Sequence, residues 1–230
     1  MFISKFVLLI VGLSCISYSA QESPLRVVLY YEGLCPGCHE FILEQLYPGY
    51  QKLGDSFLID LVPFGGASAT KTDDGWQWEC QHGPLECYIN KVDACLTSFE
   101  PTQSQLISFV NCHTKNTSMD ITFDETEDII KQCAEENNVS FYDIRKCVTS
   151  GRADTLLLAL QDRQNKLVPK LEYVPSIRFN DVYDEDLDNV AIFDFVYAVC
   201  SLLNGTKPSA CDDIEFKNVK NLNKPHNLLI

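Results

Sequence analysis

Cys35-Pro36-Gly37-Cys38 stands between an apolar, β-branched run and a helical one, and this placement constrains the chain more than any other feature. Leu25 to Tyr31 (LRVVLYY) is short, continuously apolar but for Arg26, and bounded by Pro24 and Gly33, the pattern of a buried strand. After the cysteine pair, Phe41, Ile42 and Leu46 fall on one face of a helix. Pro36 sits in its first turn, where a missing N–H leaves no bond unmade, and Pro48 is expected to end or bend it. Phe57 to Pro63 (FLIDLVP) reads as a second buried strand, so the chain opens as a βαβ unit of a parallel sheet.

A dithiol at such a turn has a chemical consequence. The unpaired amides of the helix's first turn stabilise negative charge on the first sulfur and draw its pKa below the ordinary ~8.5. Cys35 is expected to be the exposed nucleophile, and Cys38, one turn on, the thiol that resolves the mixed disulfide. His39, if protonated, is a second candidate for tuning Cys35; the alternative is a solvent-facing ring without influence. A structural disulfide at this spacing is the competing reading. A zinc site on Cys35, Cys38 and His39 would need a second ligand pair, and the sequence holds no second C-x-x-C. No metal and no cofactor are expected.

From about residue 76 to 166 apolar residues recur at helical spacing, as in Leu106, Ile107 and Val110 and in Ile129, Ile130 and Cys133, with Asp124 and Ser140 as expected N-caps. Cys80, Cys87, Cys95, Cys112, Cys133 and Cys147 lie in this stretch, which reads as a helical, disulfide-stapled insertion. The strand pattern resumes at Val174-Pro175-Ser176-Ile177-Arg178-Phe179-Asn180 and runs into the turn pair Asn180-Asp181, with a short return strand expected at Val182-Tyr183. Asp188 is expected to cap a closing helix, Asn189 to Leu203. With the active pair and Cys15 set aside, eight cysteines allow 105 pairings, and only Cys200–Cys211, joining that helix to its own tail, is singled out. Residues 212–230 read as a polar tail.

Compartment follows from the amino terminus. Lys5, the apolar run Phe6 to Leu13 and Ser17-Tyr18-Ser19 form a secretory signal pattern over residues 1–19, with a run too short for the ~20 residues of a membrane span. Its removal takes Cys15 with it. Asn116, Asn138 and Asn204 each open an Asn-x-Ser/Thr sequon, which marks glycosylated surface in a secreted chain. A formal net charge of −14 argues against nucleic acid or an anionic membrane as partner. The carboxy terminus, ending in Leu229-Ile230, carries no KDEL-type signal.

Cys80-Gln81-His82-Gly83-Pro84-Leu85-Glu86-Cys87-Tyr88-Ile89-Asn90 followed by Cys95 resembles the signature of the gamma-interferon-inducible lysosomal thiol reductases, CQHG-x2-EC-x2-N-x4-C, at every fixed position. Cys35-x-x-Cys38, Val62-Pro63-Phe64-Gly65 and Tyr173-Val174-Pro175 fit the same family in order, so the resemblance spans roughly residues 25–211. It implies a thioredoxin-like α/β fold with a helical, disulfide-rich insertion. It also implies reduction of protein disulfides in acidic endolysosomes, with Cys35 and Cys38 as redox pair and Val174-Pro175, its proline cis, against the substrate peptide. Gly66 stands where many members have asparagine. The signature's cysteines are expected to be bridged and His82 to be a structural residue. The partners implied are disulfide-containing polypeptides and a small-thiol or dithiol electron donor. Two other functions stay open: a disulfide oxidase or isomerase built on the same site, and a secreted binding protein with an idle dithiol.

Overall fold

The computed structural model describes residues 24–73 and 75–212. The expected signal peptide and all but the first residue of the expected tail lie outside them.

Strand β1 (Leu25–Tyr31) is the centre of a three-stranded sheet in the order β2-β1-β5. Its apolar run has no solvent face because the strand is covered on both sides, and only Arg26 reaches outward. Strand β2 (Phe57–Pro63) pairs with it in parallel, Leu25 beside Phe57 and Tyr31 beside Pro63. The connection is helical: α1 (Pro36–Phe41), a π turn over Ile42–Leu46, and α2 (Tyr47–Leu53). Pro48 does not end this helix. The Tyr47 amide reaches back five residues to the Ile42 carbonyl, and the widened turn absorbs the bond that Pro48 cannot donate. The aromatic rings of Phe41, Phe57 and Phe195 meet edge-on beneath it, with centroids 5.8 and 5.3 Å apart.

Strand β5 (Ser176–Phe179) runs antiparallel to β1 on the other side, Tyr30 beside Ser176 and Val27 beside Phe179. Asn180 and Asp181 both adopt positive φ, as a tight hairpin turn requires. The expected return strand is reduced to one bridge, Phe179 with Val182.

Between β2 and β5 lie a hairpin that the sequence reading missed and five helices. Strands β3 (Ser68–Thr72) and β4 (Gly75–Glu79) form a separate antiparallel sheet, so residues 76–79, read as the start of a helical region, are extended. Helices α3 (Pro84–Thr97), α4 (Gln103–Asn116), α5 (Phe123–Glu136), α6 (Phe141–Thr149) and α7 (Arg152–Asn165) follow. Ser140 caps α6 as expected. At α5 the cap is Thr122, which forms a reciprocal capping box with Glu125 and leaves Asp124 at the second position of the first turn. Three disulfides staple these helices: Cys80–Cys87 across the entry to α3, Cys95–Cys147 from α3 to α6, and Cys112–Cys133 from α4 to α5.

The closing helix is two, α8 (Glu185–Phe193) and α9 (Phe195–Leu202), capped by Asp184 and Asp194. Asp188 is not a cap. It is fully buried inside α8 and accepts hydrogen bonds from the Ile177 amide and the Tyr173 hydroxyl, tying the helix to β5. Cys200 and Cys211 are bonded, closing α9 onto the short turn that follows. Among the described residues no helix is long and apolar enough to cross a membrane.

Candidate active site

Cys35 is the N-cap residue of α1, extended at φ −63° and ψ 123°, and Pro36 occupies the first helical position. Cys38 lies one turn into the helix, fully buried, and these two are the free cysteines among the described residues. The placement is the one read from the sequence; the exposure is not. Cys35 is only 2% exposed and belongs to the main core, with the Val174 carbonyl oxygen 3.9 Å from Cys35 Sγ. The Val174–Pro175 peptide bond is cis.

The two sulfurs are driven apart electrostatically. Cys35 lies below the ordinary thiol range: the Cys38 thiol donates to its sulfur, burial opposes, and the Cys38 and Gly37 amides of the first helical turn add to the lowering. Cys38 is pushed well up by burial and by the same interaction with Cys35. The site therefore holds one sulfur suited to be a thiolate and one that keeps its proton until it is called on.

His39 is not a solvent-facing ring. It is half-buried, and its Nε2 donates to the Gly33 carbonyl at 2.8 Å, which ties α1 to the loop before it. Burial lowers its pKa, so it is a poorer source of positive charge than a free histidine.

The residues that hold this loop come from α3 and were not assigned roles from the sequence. The Gly33 amide donates to Asn90 Oδ1 at 2.8 Å and the Leu34 amide to Glu86 Oε2 at 3.2 Å. Three residues further along the same face, buried Asp93 accepts from the Tyr31 hydroxyl at 2.8 Å and from His113 Nε2 at 2.8 Å. Glu86, Asn90 and Asp93, spaced four and three apart, thus form one polar stripe of a helix, facing the end of β1 and the loop that leads to Cys35. The i, i+4 spacing of Glu86 and Asn90 was the available signal. His82, at the turn before α3, donates through Nδ1 to Glu86 Oε2 at 2.7 Å, the structural role expected of it. Glycine is required at two points of contact. A Cβ on Gly33 would meet Ile89, and one on Gly65, at φ +57°, would overlap the Glu32 carboxyl group.

Glu32 was also missed. It ends the apolar run of β1, is 1% exposed, and accepts the Gly66 amide on Oε1 at 2.6 Å. Burial and the neighbouring charge of Glu86 raise its pKa to about 7, against the Gly66 amide and His82. The asparagine-to-glycine departure at Gly66 therefore falls at a backbone contact with this carboxyl group. The sequon residues Asn116, Asn138 and Asn204 are all exposed, the first at the end of α4 with its amide donating to the Cys112 carbonyl at 2.8 Å.

A thioredoxin-like sheet with a dithiol of split acidity at its first βα turn and a cis-proline strand over it defines a thiol:disulfide oxidoreductase. The sequence model of the family described as "Gamma interferon inducible lysosomal thiol reductase (GILT)" matches residues 26–137. The chain is 34% identical over 202 residues to the gamma-interferon-inducible lysosomal thiol reductase of Carassius auratus, covering 86% of this chain and 75% of that protein. It is 34% identical over 203 residues to a gamma-interferon-inducible lysosomal thiol reductase-like protein of Anopheles gambiae, covering 84% and 82%. The chain belongs to the gamma-interferon-inducible lysosomal thiol reductase family. In fold it is similar to MdbA, a thiol-disulfide oxidoreductase from Actinomyces oris, with a TM-score of 0.52 at 16% identity over 81% of this chain and 83% of that one.

Proposed function

We propose that this protein reduces disulfides in partly unfolded polypeptides, in an acidic compartment reached through the secretory pathway, with Cys35 as nucleophile and Cys38 as resolving thiol. The observation that carries the reading is the opposed acidity of the two sulfurs at the mouth of α1. At a pH of about 5 an unperturbed thiol is ionised in about one molecule in 3,000, so a reductase working there needs the lowering that Cys35 receives.

The Cys35 thiolate attacks one sulfur of a substrate disulfide, forming a mixed disulfide and expelling the other sulfur as thiolate, which takes up a proton. Cys38 then gives up its proton and attacks the Cys35 sulfur. This closes Cys35–Cys38 and releases the second substrate thiol, so that two electrons have passed to the substrate. A small thiol or dithiol donor reopens the pair. The Val174-Pro175 backbone, lying over Cys35, is positioned to run alongside the substrate peptide. A cleaved signal peptide over residues 1–19, glycans on Asn116, Asn138 and Asn204, and an insertion between β2 and β5 complete the reading.

Insulin reduction followed by turbidity, at acid and neutral pH, tests it. Wild type is expected to be active in acid, Cys35→Ser inactive, and Cys38→Ser to accumulate a mixed disulfide with insulin. Activity retained in Cys35→Ser would overturn the assignment of the nucleophile.

A further inference from the structure

Beside the dithiol, and using neither of its sulfurs, Glu32, His82 and Glu86 bring three ligand-type atoms within 4.8 Å of one another. The arrangement is unlike an ordinary acidic cluster. Glu32 is 1% exposed and its Oε2 has no hydrogen-bond partner, although it lies 3.5 Å from His82 Nδ1. A buried carboxylate oxygen left unpaired is costly, and a cation is one way to satisfy it. The remaining oxygens of the two carboxyl groups are already fixed from outside. Glu32 Oε1 accepts the Gly66 amide at 2.6 Å, and Glu86 Oε1 accepts the His82 amide at 3.0 Å. Such backbone contacts orient carboxylate ligands and leave Glu32 Oε2 free to bind, while Glu86 Oε2 already accepts the Leu34 amide at 3.2 Å and His82 Nδ1 at 2.7 Å.

We propose that Glu32 Oε2, His82 Nδ1 and Glu86 Oε2 form a binding site for a divalent transition cation, of which zinc is the fitting one. One imidazole nitrogen and two carboxylate oxygens are a zinc ligand set of the three-ligand kind, with a fourth position left for water. Calcium and magnesium are poorly served, since both want six or more oxygen ligands. The 3.5 Å between His82 Nδ1 and Glu32 Oε2 is close to the edge of a tetrahedron with metal bonds of about 2.1 Å. The 2.7 Å between His82 Nδ1 and Glu86 Oε2 is a hydrogen bond, which the cation replaces as its two ends open. His82, 16% exposed, gives the site its way in from solvent. Because Glu86 also holds the Leu34 amide, a cation here is linked through one side chain to the residue preceding Cys35.

The test uses the full mature chain with Cys35→Ser and Cys38→Ser together, which removes the dithiol as a competing zinc ligand. Zinc sulfate is titrated at neutral pH against a chromophoric chelator, with circular dichroism and melting temperature recorded for each variant. One zinc per chain is expected in this background, weakened at least tenfold by Glu32→Gln and by His82→Ala. X-ray absorption of the zinc-loaded protein is expected to give a nitrogen/oxygen shell near about 2.0 Å and no sulfur. Should a variant fail to fold, the absorption spectrum of the parent double-serine protein decides alone: an imidazole-containing shell supports the site. Absence of stoichiometric zinc in the double-serine protein overturns it. So does binding that a folded Glu32→Gln leaves unchanged. Insulin reduction by the wild-type enzyme is not used as readout, so failure here leaves the proposed reductase untouched.

Discussion

Asn90, in the middle of α3, accepts the backbone amide of Gly33 at 2.8 Å, across 57 residues of sequence and directly before the reactive turn. With Glu86 on Leu34, the helix that carries the family signature serves as the clamp for the loop that presents Cys35.

Asn90→Ala leaves the Gly33 amide buried without a partner and costs about 1–3 kcal/mol of stability. Urea denaturation of wild type and variant measures this. Insulin reduction is expected to fall further than the lost folded fraction accounts for, since the loop is freed in the folded molecules as well.

Cys38→Ala is expected to raise the Cys35 pKa towards that of a free thiol, because the hydrogen bond from the Cys38 thiol is the foremost cause of its lowering. Cys38→Ser keeps an O–H donor and should retain part of the effect. Iodoacetamide alkylation rates across pH, on the two single variants, separate them; equal pKa values would show that the helix amides act alone.

Stability is expected to be greater in acid than at neutral pH. Burial raises Asp188 to about 7, although the Tyr173 hydroxyl, the Ile177 amide and Arg178 oppose the rise and Glu185 adds to it. The folded chain thus keeps a proton that the unfolded chain loses near pH ~3.9. Stability from this group is fully present below that pH and falls as pH climbs through about 7. Thermal melts of wild type and Asp188→Asn between pH 4 and 8 should differ in slope, the variant being the flatter.

Gly65→Ala places a methyl group against the Glu32 carboxyl at a positive φ, and is expected to cost more than about 1 kcal/mol from the backbone alone. Gly54→Ala, at φ +55° with open space around it, is the control. A chemical denaturation series that found the two equal would remove the steric part of the argument.

Strands β1 and β2 were legible because each is a short apolar run punctuated by proline or glycine, and the cysteine pair with Pro36 marked the start of α1. The hairpin β3–β4 was not, since SATKT is polar but for Ala69 and the only apolar face of GWQWE is the pair Trp76 and Trp78, too short a pattern to mark a strand. Three aspartates close to the start of α8, Asp184, Asp186 and Asp188, made the choice of cap ambiguous. Asp184 took it, and contacts with β5 drew Asp188 inward. The covering of Cys35 by Val174, 139 residues away, is a tertiary event that no local pattern announces. Glu86 and Asn90 were visible as letters of a signature, but their partners are backbone amides of another segment, which carry no identity in a sequence.

The cover over Cys35 has a consequence for what can be cleaved. If the chain reduces disulfides as proposed, a rigid globule is badly shaped to bring its own bridge against a sulfur covered beside Val174, and a slack strand is better suited. On the proposed function, choice of client would then turn on girth and pliancy more than on side-chain identity, and a protein whose bridges are still packed away would wait until something else had loosened it.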